Sequence, residues 1–141
     1  MVSSRAKNIA DNVKAVILCA GLGTRLGSLT EEIPKPMLPL HEKPLLEYIL
    51  SHISKFTITE IAINIHFKPE VIREYFGDGD KYGVNITYFL ESRLLGTAGA
   101  LKNMGKFITT DENFFVIYGD ILTNQDLNLL EKRLRCKKKL P

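Results

Sequence analysis

Apolar positions recur along this chain with two different periods, and the switches between them mark its elements. Ala15-Val16-Ile17-Leu18-Cys19-Ala20 is an unbroken apolar run, the pattern of a strand buried on both faces. Over residues 43–55, Leu45, Leu46, Ile49, Leu50 and Ile53 fall at helical spacing and give one apolar face. Glu60–Ile65 reads as a second strand. Pro69 suits the first turn of a helix running to Phe76, which Gly77-Asp78-Gly79-Asp80 then ends. Asn85–Leu90 reads as a third strand, 97–106 as a helix entered through a glycine, and 113–118 as a fourth, strongly apolar strand. A final helix is expected over 126–135. No repeat or low-complexity linker interrupts the series. Strand and helix alternate throughout, which predicts an α/β fold: a three-layer α/β/α arrangement around a mostly parallel, Rossmann-like sheet. Ligands of such sheets bind at the carboxyl ends of the strands. The loops after strands one, three and four all fall at that end, so Gly23, Arg25, Gly96 and Asp120 should converge on one crevice.

The first of those loops carries the strongest chemical signal. Gly21-Leu22-Gly23-Thr24-Arg25-Leu26-Gly27 places three glycines around one arginine. Glycines allow positive φ and bring backbone N–H groups close to an anion, and a guanidinium matches phosphate oxygens in shape. Lys35 follows between Pro34 and Pro36, which stiffen its segment. A glycine turn with solvated cations is the plain alternative, but two prolines around one lysine make a poor ordinary turn. Together these features describe a polyphosphate site. It is neither a Walker A loop, whose spacing is absent, nor a dinucleotide fingerprint, because Gly27 arrives one residue late. The second strand also runs into His66 and Phe67 where a ribose-binding acid would be needed.

Bulk properties narrow the setting. At 141 residues the chain is at most one domain with a real core, and 45% hydrophobic with 25% charged residues is ordinary for a globular protein. The net charge of +3 owes much to the run Lys132 to Lys139, which reads as a solvated terminal stretch and not as a nucleic-acid surface. Cys19 and Cys136 make neither a disulfide framework nor a zinc spacing, and His41, His52 and His66 are scattered. With no membrane-length apolar stretch and no secretory core at the start, a cytoplasmic protein without membrane or nucleic-acid partners is expected. The chain is expected to divide into an N-terminal extension (1–13), a central part that carries the phosphate loop (14–135) and a basic tail (136–141).

Gly21-x-Gly23-x-Arg25-Leu26 followed by Pro34-Lys35-Pro36-Met37-Leu38-Pro39 resembles the signature of the sugar-1-phosphate nucleotidyltransferases. The resemblance continues through Lys43-Pro44-Leu45-Leu46-Glu47-Tyr48, Leu95-Gly96-Thr97-Ala98-Gly99-Ala100-Leu101 and Tyr118-Gly119-Asp120, so it spans about 14–126 in the family's order. It implies transfer of a nucleotidyl group from a nucleoside triphosphate to a sugar 1-phosphate, with release of pyrophosphate and with Mg2+ as cofactor. Nucleotide contacts are then expected from Leu18, Ala20, Gly21, Gly23 and Thr24 around the first loop. Glu91, Gly96 and Thr97 follow the third strand, and Gly119 and Asp120 follow the fourth. Arg25 and Lys35 would be both nucleotide-binding and catalytic, Arg25 on the leaving pyrophosphate and Lys35 approaching the phosphates from the other side. Asp120 closes a strongly apolar strand and, by resemblance, is the metal ligand; a turn or capping aspartate is the alternative.

Glu91 stands five residues before Gly96, where uridine- and thymidine-using relatives typically carry glutamine. A carboxylate only accepts hydrogen bonds, and guanine offers the adjacent donors N1–H and N2–H. The Leu95–Leu101 run is also similar to mannose-1-phosphate guanylyltransferases, so GTP and mannose 1-phosphate are the favoured substrates. Uridylyl or thymidylyl transfer, or a non-catalytic nucleotide-sugar-binding module, are the alternatives. Family catalytic domains continue well past the Gly-Asp motif to supply a sugar pocket and a second metal aspartate. The chain is therefore expected to be a truncated, nucleotide-binding half that turns over poorly alone. A complementing second half or a homo-oligomer would complete it.

Overall fold

The computed structural model describes residues 13–108 and 113–137, so the extension before Val13 and the last residues of the basic tail lie outside the described residues. The elements run in the order β1 (Lys14–Leu18), β2 (Pro39–Leu40), β3 (Lys43–Pro44), α1 (Leu45–Ile53), β4 (Glu60–Ile65), α2 (Pro69–Phe76), β5 (Asn85–Leu90), α3 (Gly96–Asn103), β6 (Phe114–Tyr118) and α4 (Leu127–Lys137). Four strands form one sheet in the order β5-β4-β1-β6, and every pairing in it is parallel. Val16, for example, lies between Ala62 and Val116.

Alternation along β1 sorts side chains onto two faces. Ala15 and Ile17 pack with Leu46, Ile49 and Leu50 of α1, Ile72 and Phe76 of α2, and Leu127 of α4. Val16 faces the other way, onto Ala100 of α3 and Met104. The three-layer expectation therefore holds, with the helices dividing unequally between the faces. The central strands β1 and β4 are apolar almost throughout because both of their faces are covered. Leu46 and Leu50 are fully buried, and truncating either to alanine should cost about 2–5 kcal/mol. β6 has a single neighbour among the described residues, and Val116 and Tyr118 on it are exposed.

Glu60–Ile65, Pro69–Phe76 and Asn85–Leu90 take the bounds that the pattern predicts. Elsewhere the boundaries move for identifiable reasons. The first strand stops at Leu18 instead of Ala20, because the Cys19 N–H leaves the ladder and donates to Asn64 Oδ1 at 2.7 Å. The first helix begins at Leu45 because Lys43-Pro44 pairs antiparallel with Pro39-Leu40. It gives way to a 3-10 turn over Ser54–Phe56, which ends at Thr57 with φ +60°. The third helix starts at Gly96, with φ +68°, and stops at Asn103. Asp126 lies just outside the last helix, where its Oδ1 accepts from the Leu129 N–H at 3.1 Å as a capping group.

Candidate functional site

All four parallel strands deliver residues to one cleft of about 260 Å³ at their carboxyl ends. Leu18, Ala20 and Gly21 come from the end of β1, Asn64 from β4, and Glu91 from just beyond β5. Leu94, Gly96 and Thr97 line it at the start of α3, and Tyr118, Gly119 and Asp120 at the end of β6. Lys35 and Pro36 approach from the long connection after β1. Leu18, Ala20, Gly21, Lys35, Glu91, Gly96, Thr97, Gly119 and Asp120 of the expected site thus meet in one place, while the side chain of Arg25 lies outside the described residues. The lining reaches Gly21 and does not extend to Gly23 or Thr24. Gly23 takes φ +66° and turns the backbone into a 3-10 segment, Thr24–Thr30, in which Arg25 is the second residue.

Lys35 owes its position to the prolines around it. Pro34 is extended, and its carbonyl accepts from the Met37 N–H at 2.7 Å, closing a 3-10 turn over Lys35–Met37. Pro36 and Met37 are buried, so the turn is anchored beside the one long cation. Lys35 Nζ donates to Asp120 Oδ2 at 2.5 Å, with each side chain about one-third exposed (32% and 33%). The segment reaches Asp120 through Gly119, whose N–H donates to the Leu18 carbonyl at 2.9 Å. A Cβ on Gly119 would lie 2.5 Å from Cys19 Sγ and 3.0 Å from the Leu18 oxygen, so glycine alone lets the two strand ends meet. Burial, and then the nearby Asp120 charge, push the Cys19 thiol far up. Cys19, 5% exposed, therefore packs as an apolar group of the core.

The opposite wall is a buried polar chain. Asn64 and Glu91 are 4% and 3% exposed. Asn64 Oδ1 accepts from Cys19 N–H, and Asn64 Nδ2 donates to Glu91 Oε1 at 2.7 Å. Glu91 Oε2 accepts from the Leu95 N–H, at the entrance to α3, at 3.0 Å. The Glu91 backbone is held as firmly: its N–H donates to the Ile65 carbonyl, and its carbonyl accepts from His66 Nδ1 at 2.7 Å. Pro36, Asn64, Leu94 and Tyr118 are lining residues that sequence reasoning missed. Asn64 did leave a signal, a lone amide inside Ile61-Ala62-Ile63-Asn64-Ile65, which a strand covered on both faces must pair.

As a cation site the donor set is lean. Among the described residues no group of three or more His, Cys, Asp or Glu gathers. Asp120 brings one hard oxygen donor to the cleft, which suits a magnesium that arrives with phosphate oxygens and water and does not suit an all-protein cage. No helix among the described residues is long and apolar enough to cross a membrane.

Known proteins resemble this chain in sequence and in fold. The family model described as nucleotidyl transferase matches residues 14–139. A D-glycero-alpha-D-manno-heptose 1-phosphate guanylyltransferase of Campylobacter jejuni is 43% identical over 119 residues, covering 84% of this chain and 52% of that protein. A UTP–glucose-1-phosphate uridylyltransferase of Synechocystis is 38% identical, covering 89% of this chain and 35% of that protein. Among solved structures, HddC from Yersinia pseudotuberculosis complexed with GMP-PN superposes with a TM-score of 0.76 at 30% identity. That match covers 90% of this chain and 55% of HddC. The chain thus spans about a third to a half of the relatives it matches.

Proposed function

The chain belongs to the nucleotidyl transferase family, and from that premise we propose that its cleft binds the nucleoside triphosphate in nucleotidyl transfer to a sugar 1-phosphate. The observation that carries this reading is the Lys35–Asp120 pair at a cleft built from four strand ends. An oxygen of the sugar phosphate attacks the α-phosphorus in line, and pyrophosphate leaves. Both reactants are anionic, so the protein's work is placement and charge neutralisation. Lys35 supplies a cation held in place by its prolines, and the backbone at Gly21 supplies N–H groups without side-chain bulk. Asp120 is the residue that would hold Mg2+, which when bound screens the triphosphate charge. Arg25, further along the loop, is assigned to the pyrophosphate.

GTP is the favoured nucleotide. Glu91 lines the cleft and its carboxylate uses one lone pair on each oxygen internally, which leaves acceptors that match guanine N1–H and N2–H. The relatives' names place guanylyl transfer to manno-configured sugars beside uridylyl transfer to glucose 1-phosphate. Because Glu91 stands where uridine- and thymidine-using relatives carry glutamine, the guanylyltransferases are the better guide, and we take the sugar to be mannose 1-phosphate or a heptose 1-phosphate of the same configuration. The remaining sugar-phosphate contacts are assigned to the part of the relatives' length that this chain does not match. Competition calorimetry with GTP, UTP and dTTP in magnesium tests the proposal. GTP should bind and win, and a folded chain indifferent to all three would refute it.

A further inference from the structure

The polar chain behind the cleft runs in one direction only. It starts at the backbone N–H of Cys19, which can only donate, so the Asn64 amide must present its oxygen there and its NH2 to Glu91. It ends at the backbone N–H of Leu95, which can also only donate, so Glu91 must present an acceptor there too. Two fixed donors at the ends and an amide between them leave position 91 a single solution, a side chain that accepts at both of its terminal atoms. Glutamine fails in every orientation. With its oxygen towards Asn64, its NH2 meets the Leu95 N–H; turned over, its NH2 meets the Asn64 NH2. Flipping Asn64 only moves the conflict to Cys19.

We infer that Asn64 is a specificity-determining positioning residue: through its amide, the backbone of Cys19 dictates a carboxylate at position 91 and so the nucleobase that the cleft accepts. The inference rests on the reading that Glu91 meets the base. Asn64 is suited to the role because it is itself buried, lies on the strand beside β1, and lines the same cleft. In strand register Asn64 faces Leu18, so the residue that sets the amide's polarity is the first one beyond the β1 ladder.

The same logic names the change that would invert the preference. In the double variant N64D/E91Q, the carboxylate introduced at position 64 would accept from Cys19 N–H with one oxygen and from the glutamine NH2 with the other. The glutamine oxygen would then accept from Leu95 N–H, so every donor again meets an acceptor at unchanged net charge. The amide at position 91 would keep one donor and one acceptor spare, the complement of the N3–H and carbonyl edge of uracil or thymine.

The test measures melting midpoint and the GTP-to-UTP affinity ratio, with magnesium, for the wild type, N64D, E91Q, N64D/E91Q, Asn64→Ser and Glu91→Ala. Both members of the swapped pair should melt lower singly and recover together, while the double variant's ratio falls about tenfold, the scale of one hydrogen-bond pairing. Asn64→Ser, a smaller change that keeps the strand, should also lower the ratio. A double variant no more stable than the two single losses combined would overturn the one-way chain. A Glu91→Ala that changes the ratio beside an Asn64→Ser that does not would remove Asn64 from the role and leave the base reading standing. A recovered double variant with the wild-type ratio would instead refute the base reading itself.

Discussion

Lys35 and Asp120, separated by 85 residues of sequence, meet at 2.5 Å and neutralise each other at the mouth of the cleft. On the proposed function, binding a magnesium–triphosphate would part them and free Lys35 for phosphate and Asp120 for the metal. Lys35→Ala should therefore weaken GTP binding by about 1.5–3 kcal/mol, the range of a hydrogen bond to a charged group. Asp120→Asn should leave metal-free binding unharmed and abolish the gain that magnesium brings. Calorimetry with GTP, in magnesium and then in EDTA, separates the two effects.

Gly119→Ala should destabilise the chain by about 1–3 kcal/mol, as overpacking does, because its new methyl would sit 2.5 Å from Cys19 Sγ. Cys19→Ala in the same chain should return part of that loss. The return should be incomplete, since the Leu18 carbonyl oxygen at 3.0 Å stays where it is. Urea denaturation of the two variants beside the wild type checks both statements.

Glu47 ties α1 to α2 and should give the chain an acid-labile component. Its carboxylate accepts from Lys43 Nζ at 2.8 Å, Tyr75 Oη at 2.8 Å and Tyr82 Oη at 3.3 Å. The Lys43 hydrogen bond foremost holds it below the ordinary carboxylate value despite burial. A depressed folded value means that this stability is complete above the unfolded value of about 4.3 and is lost as pH falls through the folded one. Unfolding free energy measured from pH 7 down to pH 3 should decline in that window. Glu47→Gln should flatten the decline and cost on the order of 1–3 kcal/mol at neutral pH.

The exposed edge of β6 should make the isolated chain self-associate. β6 has one described neighbour, and Val116 on it is 39% exposed and lies outside the cleft lining. Light scattering should show mass rising with concentration. Val116→Lys should suppress the rise while costing no more than about 1 kcal/mol of stability, since the position is exposed.

Sequence pattern carried the four sheet strands and the four helices because each has a clear period and most have a turn residue at the border. The two-residue β2–β3 ladder was not legible, since its pairing depends on where the rest of the chain holds Pro39 and Pro44. Within the site, Lys35, Glu91, Gly96 and Asp120 announced themselves by motif and do line the cleft. Gly23 and Thr24 did so too and lie beyond the lining, because positive φ at Gly23 redirects the loop. Asn64 could not be assigned its part from sequence. Its partners lie 45 and 27 residues away, and only the placement of β4 between β1 and β5 makes it their link.

That placement also bears on how the chain reaches its working state. The cleft has no local precursor: its walls come from four strands whose spatial order, β5-β4-β1-β6, is not their order of synthesis. Parallel pairings close long loops before they gain any contact, so folding should be slow for a chain of this size. On the proposed function, a triphosphate would recognise the cleft only after β6 has docked against β1. Ligand binding is thus a late-stage reporter. In a refolding experiment it should appear with the slowest phase, after helical signal has already returned.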